Sequence, residues 1–111
     1  MQVTAQHRDG ITILYPKGKI TIGAGDVALR EAVHNALDAG ATKILINLKA
    51  VTTADSSGIG EMVSAFTTVT NRKGKLKLCE LPAKVSDVLM ITQLITIFDI
   101  FDSEDEAVDS F

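Results

Sequence analysis

Six residues, Asp55-Ser56-Ser57-Gly58-Ile59-Gly60, hold the most concentrated chemistry in the chain. Two hydroxyls stand beside a carboxylate. An apolar run, Lys43 to Leu48, leads toward them, and a helical pattern leads away. Hydroxyls placed where a strand has ended and a helix begins lie at the end of an α/β sheet where binding sites occur. Ser and Asp are also the preferred helix caps, because their oxygens accept bonds from the orphan N–H groups of the first turn. Gly58 and Gly60 have no side chains, so another backbone can come close. The motif therefore has two readings: an ordinary helix cap, or an exposed serine on a small flat platform flanked by an acid.

Other chemistries are weaker. Ala54-x-Ser56-x-Gly58 distantly resembles a hydrolase nucleophile elbow. That fold needs an acid and then a histidine downstream of the serine, and both histidines, His7 and His34, lie upstream. Gly23-x-Gly25-x-x-Ala28 imitates a dinucleotide fingerprint that follows a strand and opens a helix. The confirming acid after the next strand is absent, since Asn47-Leu48-Lys49 stands there. Turn glycines are the simpler reading, and a nucleotide site there is a weak alternative. His7, His34 and Cys79 share no metal-ligand spacing. No carboxylate pair is set up for acid–base work. The expectation is a protein without catalytic residues, metal or cofactor.

The elements that must position the serines follow from periodicity. Gln2 to His7 and Ile11 to Tyr15 are strand candidates joined by the hairpin signal Asp9-Gly10. Pairing about that turn places Val3 and Ala5 on the face of Leu14. Pro16 closes the second run, Gly18 permits a bend, and Lys19 to Ile22 continues extended. After Gly23-Ala24-Gly25, Asp26 is the expected N-cap of a helix whose stripe is Ala28, Leu29, Ala32, Val33, Ala36 and Leu37; Gly40 stops it. Ile44 to Leu48 is a nearly continuous apolar run, as in a strand covered on both faces. Ile59, Met62, Val63, Phe66 and Val69 stripe a second helix starting near Ser57, and Leu76 and Leu78 mark the next strand. Pro82 suits a first helical position before Val85, Val88 and Leu89. Ile97 to Phe101 reads as a short edge strand, and Glu104 to Phe111 as a last helix with Ala107 and Val108 inward. The fold class is α/β: one domain over residues 1–111, with a mixed, mostly parallel sheet of about four or five strands and helices packed on it. The loops after two parallel strands meet at one end of such a sheet. A docking surface is expected from Ile20, Thr21, Ile22, Gly23 and Ala24 together with Asp55, Ser56, Ser57, Gly58 and Ile59, and the outer face of the following helix.

Composition narrows the setting. At 111 residues the chain can bury one core without disulfides or metal. The single cysteine, Cys79, rules out an internal disulfide and fits a reducing cytoplasm. The first nine residues lack the apolar core of a signal peptide, and no apolar run approaches a membrane span. Net charge is −3, unevenly spread. From Asp99 onward there are six acids and no base, expected as the solvated face of a last helix. Arg72, Lys73, Lys75 and Lys77 cluster around a turn, but with few aromatics nearby they make a poor nucleic-acid footprint. Neither nucleic acid nor membrane is an expected partner.

The apolar strand Ile44 to Leu48, six residues, and then Asp55-Ser56-Ser57-Gly58-Ile59-Gly60 is similar to the signature of STAS domains. More narrowly it resembles the bacterial anti-sigma-factor antagonists. The likeness continues through Gly74-Lys75-Leu76-Lys77-Leu78 and Pro82-Ala83-Lys84-Val85 to the Phe98 region and the Glu106-Ala107 tail. It implies a cytoplasmic module that binds an anti-sigma factor with ATP-dependent serine kinase activity and so frees a sigma factor for transcription. It implies phosphorylation of the serine directly after the aspartate, here Ser56, and reversal by a metal-dependent serine phosphatase. The alternative is a non-switching STAS scaffold or sensory subunit in a transport or signalling complex. Two departures from the family pattern stand out. Gly18-Lys19-Ile20 has a lysine where an acid is frequent, which bears on partner recognition. Thr92-Gln93-Leu94 has a glutamine where a glycine is frequent, which bears on structure.

Overall fold

The computed structural model describes residues 2–111. Strand β1 (Gln2–Arg8) turns through Asp9 and Gly10, both at positive φ, into β2 (Ile11–Ile20). Helix α1 (Gly25–Asp38), β3 (Lys43–Asn47), β4 (Val51–Ala54), α2 (Ser56–Asn71) and β5 (Lys75–Cys79) follow. Helix α3 (Ala83–Ile91), a 3-10 turn at Leu94–Thr96, β6 (Asp99–Phe101) and α4 (Glu104–Ser110) complete the chain. The sheet runs β1-β2-β3-β5-β6, with β4 beside the end of β2. Only β1 is antiparallel; the other pairings are parallel. Ala5 faces Leu14 across the hairpin, as its turn requires.

Stepwise crossovers in one direction, all of one hand, place their helices on one face of the sheet. Leu29, Val33 and Leu37 of α1, Ile59, Met62, Ala65 and Val69 of α2, and Val85 and Leu89 of α3 bury there against Leu14, Ile44, Ile46 and Leu78. Helix α4 covers the opposite face, where Ala107 and Val108 meet Ile11, Ile13, Leu45 and Cys79. Both faces of β3 are thus covered, and Ile44, Leu45 and Ile46 are fully buried.

Several expectations are corrected. The second strand does not end at Pro16. It runs on to Ile20, and Ile22 lies beyond it, in the turn. Pro16 falls between the stretch of β2 paired with β3 and the stretch paired with β4, where its missing N–H costs least. Gly18, at φ +106, stands at a register shift within the β4 pairing, between Gly18, opposite Val51, and Lys19, opposite Thr53. Val51–Ala54 is a strand rather than part of the serine loop, so the sheet has six strands. Its β-branched Val51, Thr52 and Thr53 suit a strand, but its partner lies more than thirty residues away in β2. Asp26 sits inside the first turn of α1, whose cap residue is Ala24, and Pro82 caps α3 instead of opening it. The edge strand is confined to Asp99–Phe101. Cys79 is fully buried, and Lys77 is only 8% exposed. The Lys77 ammonium donates to the Ser110 carbonyl and hydroxyl, both at 2.9 Å, and lies over the Phe101 and Phe111 rings. No helix among the described residues is long and apolar enough to cross a membrane.

Candidate functional site

Because β2 and β4 are parallel neighbours, the turns that follow them emerge side by side. Thr21–Ala24 leads into α1, and Asp55 leads directly into α2. Asp55 has extended backbone and caps α2: its Oδ1 accepts from the Gly58 N–H at 2.8 Å. Its Oδ2 accepts from the Ile22 N–H at 3.1 Å, across to the other turn. Its own N–H donates to the Ile20 carbonyl at 3.2 Å. One residue therefore fastens the two turns together. The Gly58 and Ile22 N–H groups hold the Asp55 carboxyl below the usual carboxylate range, because both bonds favour its ionised form.

Close approach explains two glycines. A Cβ on Gly58 would stand 1.9 Å from the Ile20 carbonyl oxygen, and one on Gly25 would stand 2.2 Å from that of Lys19. Both helices begin against the backbone of β2, and only glycine permits it. In the first turn of α1 the Asp26 carboxylate accepts from Gly23 N–H at 2.9 Å and Val27 N–H at 2.8 Å. A carboxylate thus occupies the place that a nucleotide phosphate would take at this helix end. Gly23, at φ +96, serves the turn.

All ten expected docking residues gather at this pole. Ile22, Gly23, Ala24 and Ser56 are exposed; Thr21, Asp55 and Ser57 are partly buried; Ile20, Gly58 and Ile59 are buried. The buried ones shape the surface without forming it. Ser56 is the first residue of α2 and Ser57 the second. The side-chain bonds that close the turn come from the Asp55 carboxylate. Among the described residues, no group of three or more His, Cys, Asp or Glu side chains is placed to hold a metal ion.

The same end of the sheet carries a polar network on the α4 side that sequence reading missed. Glu104 accepts from the Tyr15 hydroxyl at 2.6 Å and from Asn47 Nδ2 at 3.2 Å, and Glu80 accepts from Asn47 Nδ2 at 2.9 Å. Arg8 bridges Glu104 and Asp105. Burial and the adjoining Glu104 push the Tyr15 phenol up to about 12. The network anchors the start of α4 and leaves Glu104 outside the solvated face expected for the tail. No sequence spacing points to it, because its members come from β1, β2, β3, α4 and the bend after β5.

Comparison with known proteins places this geometry. The family model of the STAS domain matches residues 2–107. An anti-sigma F factor antagonist of Paenibacillus polymyxa is 22% identical over 108 residues, 97% of this chain and 92% of that protein. The crystal structure of a candidate anti-sigma factor antagonist from Thermotoga maritima superposes with a TM-score of 0.89 at 27% identity, covering 97% of this chain and 92% of that one. The Bacillus cell fate determinant SpoIIAA in its phosphorylated form superposes with a TM-score of 0.74 at 19% identity, covering 98% of each chain, a likeness of fold. With a family match that spans nearly the whole chain and a serine turn built on the ends of two parallel strands, this protein belongs to the STAS domain family.

Proposed function

We propose that this chain is an anti-sigma-factor antagonist: a binding module, not an enzyme, that acts in the cytoplasm. It docks on an anti-sigma factor with serine kinase activity, releases a sigma factor, and is switched off by phosphorylation of Ser56. A serine phosphatase restores it. The observation that carries the reading is the exposed Ser56 on the first turn of α2, directly after an aspartate whose carboxylate is already committed.

The physical switch follows from charge. A phosphate adds about −1.5 to −2 charges and three acceptor oxygens. The helix N-terminus favours an anion, so the domain tolerates it. Asp55 is held ionised by Gly58 and Ile22 and is not free to swing away. A partner covering the turn would have to desolvate two adjoining negative groups. A penalty of about 3 kcal/mol weakens binding roughly a hundredfold.

The test is incubation of the wild type, Ser56→Ala and Ser57→Ala with the host cell's purified anti-sigma kinase and ATP, read by intact mass. Ser56→Ala is expected to stay unmodified and to bind constitutively, while Ser57→Ala gains one phosphate. Modification of Ser56→Ala but not Ser57→Ala overturns the assignment. An unmodified wild type overturns the switch and leaves the scaffold reading.

A further inference from the structure

Among the described residues four large apolar side chains stand exposed: Ile22 at 73%, Met90 at 59%, Ile91 at 82% and Ile97 at 38%. Topology separates them. Strands β5 and β6 are parallel, so α3 and the 3-10 turn between them must return the chain to the opposite end of the sheet. Met90, Ile91 and Ile97 therefore lie at the far pole from Ser56. Of these four described residues, Ile22 alone shares the serine's pole, one turn across from it.

The backbone that carries Ile22 is fixed from several sides. Its own N–H is held by Asp55 at 3.1 Å, the Gly23 N–H by Asp26 at 2.9 Å, and the Thr21 carbonyl by the Asp26 N–H at 3.1 Å. A rigid turn thus holds a β-branched apolar side chain out in water beside an exposed serine. A residue so held loses little freedom on docking. Apolar anchors that enter a partner's pocket carry a disproportionate share of binding energy.

We infer that Ile22 is a specificity-determining contact for the protein that modifies Ser56: it enters an apolar pocket on that kinase, beside its ATP site. Asp55 is the positioning residue that sets Ile22 against the serine turn. The inference rests on the kinase-substrate reading above and names the chemistry of the partner's surface.

The experiment measures Ser56 phosphorylation at varied substrate concentration, using the host cell's anti-sigma kinase with magnesium and ATP. The substrates are wild type, Ile22→Ser, Ile22→Leu and Met90→Ser. Burying one isoleucine is worth about 10- to 100-fold in affinity. Ile22→Ser is expected to raise KM by about that factor with kcat little changed, while its melting temperature stays at the wild-type value. Ile22→Leu restores most of the KM, and Met90→Ser matches wild type. Normal phosphorylation of Ile22→Ser with an unchanged KM overturns the inference and leaves the kinase-substrate reading intact. A wild type that takes no phosphate overturns both.

Discussion

Two identical substitutions, two residues apart in α2, should move stability in opposite directions. Gly58→Ala puts a Cβ 1.9 Å from the Ile20 carbonyl oxygen and 2.8 Å from Ile20 C and Cγ2. Clearing that overlap needs a displacement on the order of 1–1.5 Å, judged from ordinary non-bonded separations. Ile20 is fully buried and cannot yield without moving β2. Such overpacking costs roughly 1–3 kcal/mol. The same movement pulls apart the Asp55 N–H to Ile20 bond and the Ile22 N–H to Asp55 bond, each worth about 0.5–1.5 kcal/mol. Alanine's advantage over glycine inside a helix returns about 1 kcal/mol. The net expectation is a loss of about 3 kcal/mol. A Cβ on Gly60 meets nothing within 4 Å, so Gly60→Ala keeps only the helix advantage and gains about 0.5–1 kcal/mol. Urea unfolding followed by circular dichroism measures both. With a slope of about 2 kcal/mol per molar, Gly58→Ala should unfold about 1.5 M earlier and Gly60→Ala slightly later. A Gly58→Ala midpoint within about 0.3 M of wild type, or shifts of the same sign in both variants, would refute the close-packing account of the serine turn.

Two further outcomes follow from the backbone and the cap. Gln93 sits at φ 63 and ψ 9, in the left-handed region; relief of that strain outweighs the added freedom of the unfolded chain, so Gln93→Gly should stabilise by roughly 0.5–1 kcal/mol. Thermal unfolding should then rise by about 3 °C, and a fall in Tm would contradict it. The Asp55 carboxyl is lowered in the folded state by the Gly58 and Ile22 N–H groups. Its stabilising contribution is therefore complete above the unfolded carboxylate range and is lost as pH falls through the depressed folded value. Urea midpoints of wild type and Asp55→Asn should differ most above about pH 5 and converge in stronger acid; a gap that stays constant down to the acid limit would count against this role.

Local patterning located the hairpin, all four helices, the strands β3 and β5, and the edge strand β6 to within two residues, because each buries a face that its own residues mark. What it missed is set by partners distant in the chain. Val51–Ala54 is too short to declare itself and becomes a strand by pairing with Gly18–Ile20. Lys77 looks like a solvated alternate of Leu76 and Leu78, yet α4 closes over that face and Ser110 receives its ammonium. Glu104 looks like one acid of a solvated tail, yet it turns toward Tyr15 and Asn47. At the serine turn, the capping preference of Asp55 was legible because it concerns a bond three residues away. The second bond, to Ile22, spans thirty-three residues and leaves no trace in spacing. The frequent-glycine position of the family was legible as a departure at Gln93, and its left-handed φ gives the physical reason a glycine suits it.

The long-range features of the serine turn share one cause, the length of β2. Its first half pairs with β3 and its second half with β4, and Gly18, at positive φ, begins the β4 pairing at its register shift. Without the second half, Ile20 could not lie against Gly58, and the turn carrying Ile22 could not reach Asp55. The relative placement of serine and isoleucine is thus set by a strand pairing inside the sheet rather than by loop preference. A surface fixed in that way has little room to rearrange when charge is added at Ser56. Under the proposed switch, a phosphate on Ser56 would therefore act through what a partner must desolvate and not through refolding of the domain. The order of the backbone around Ile22 and Asp55 should accordingly be the same before and after modification.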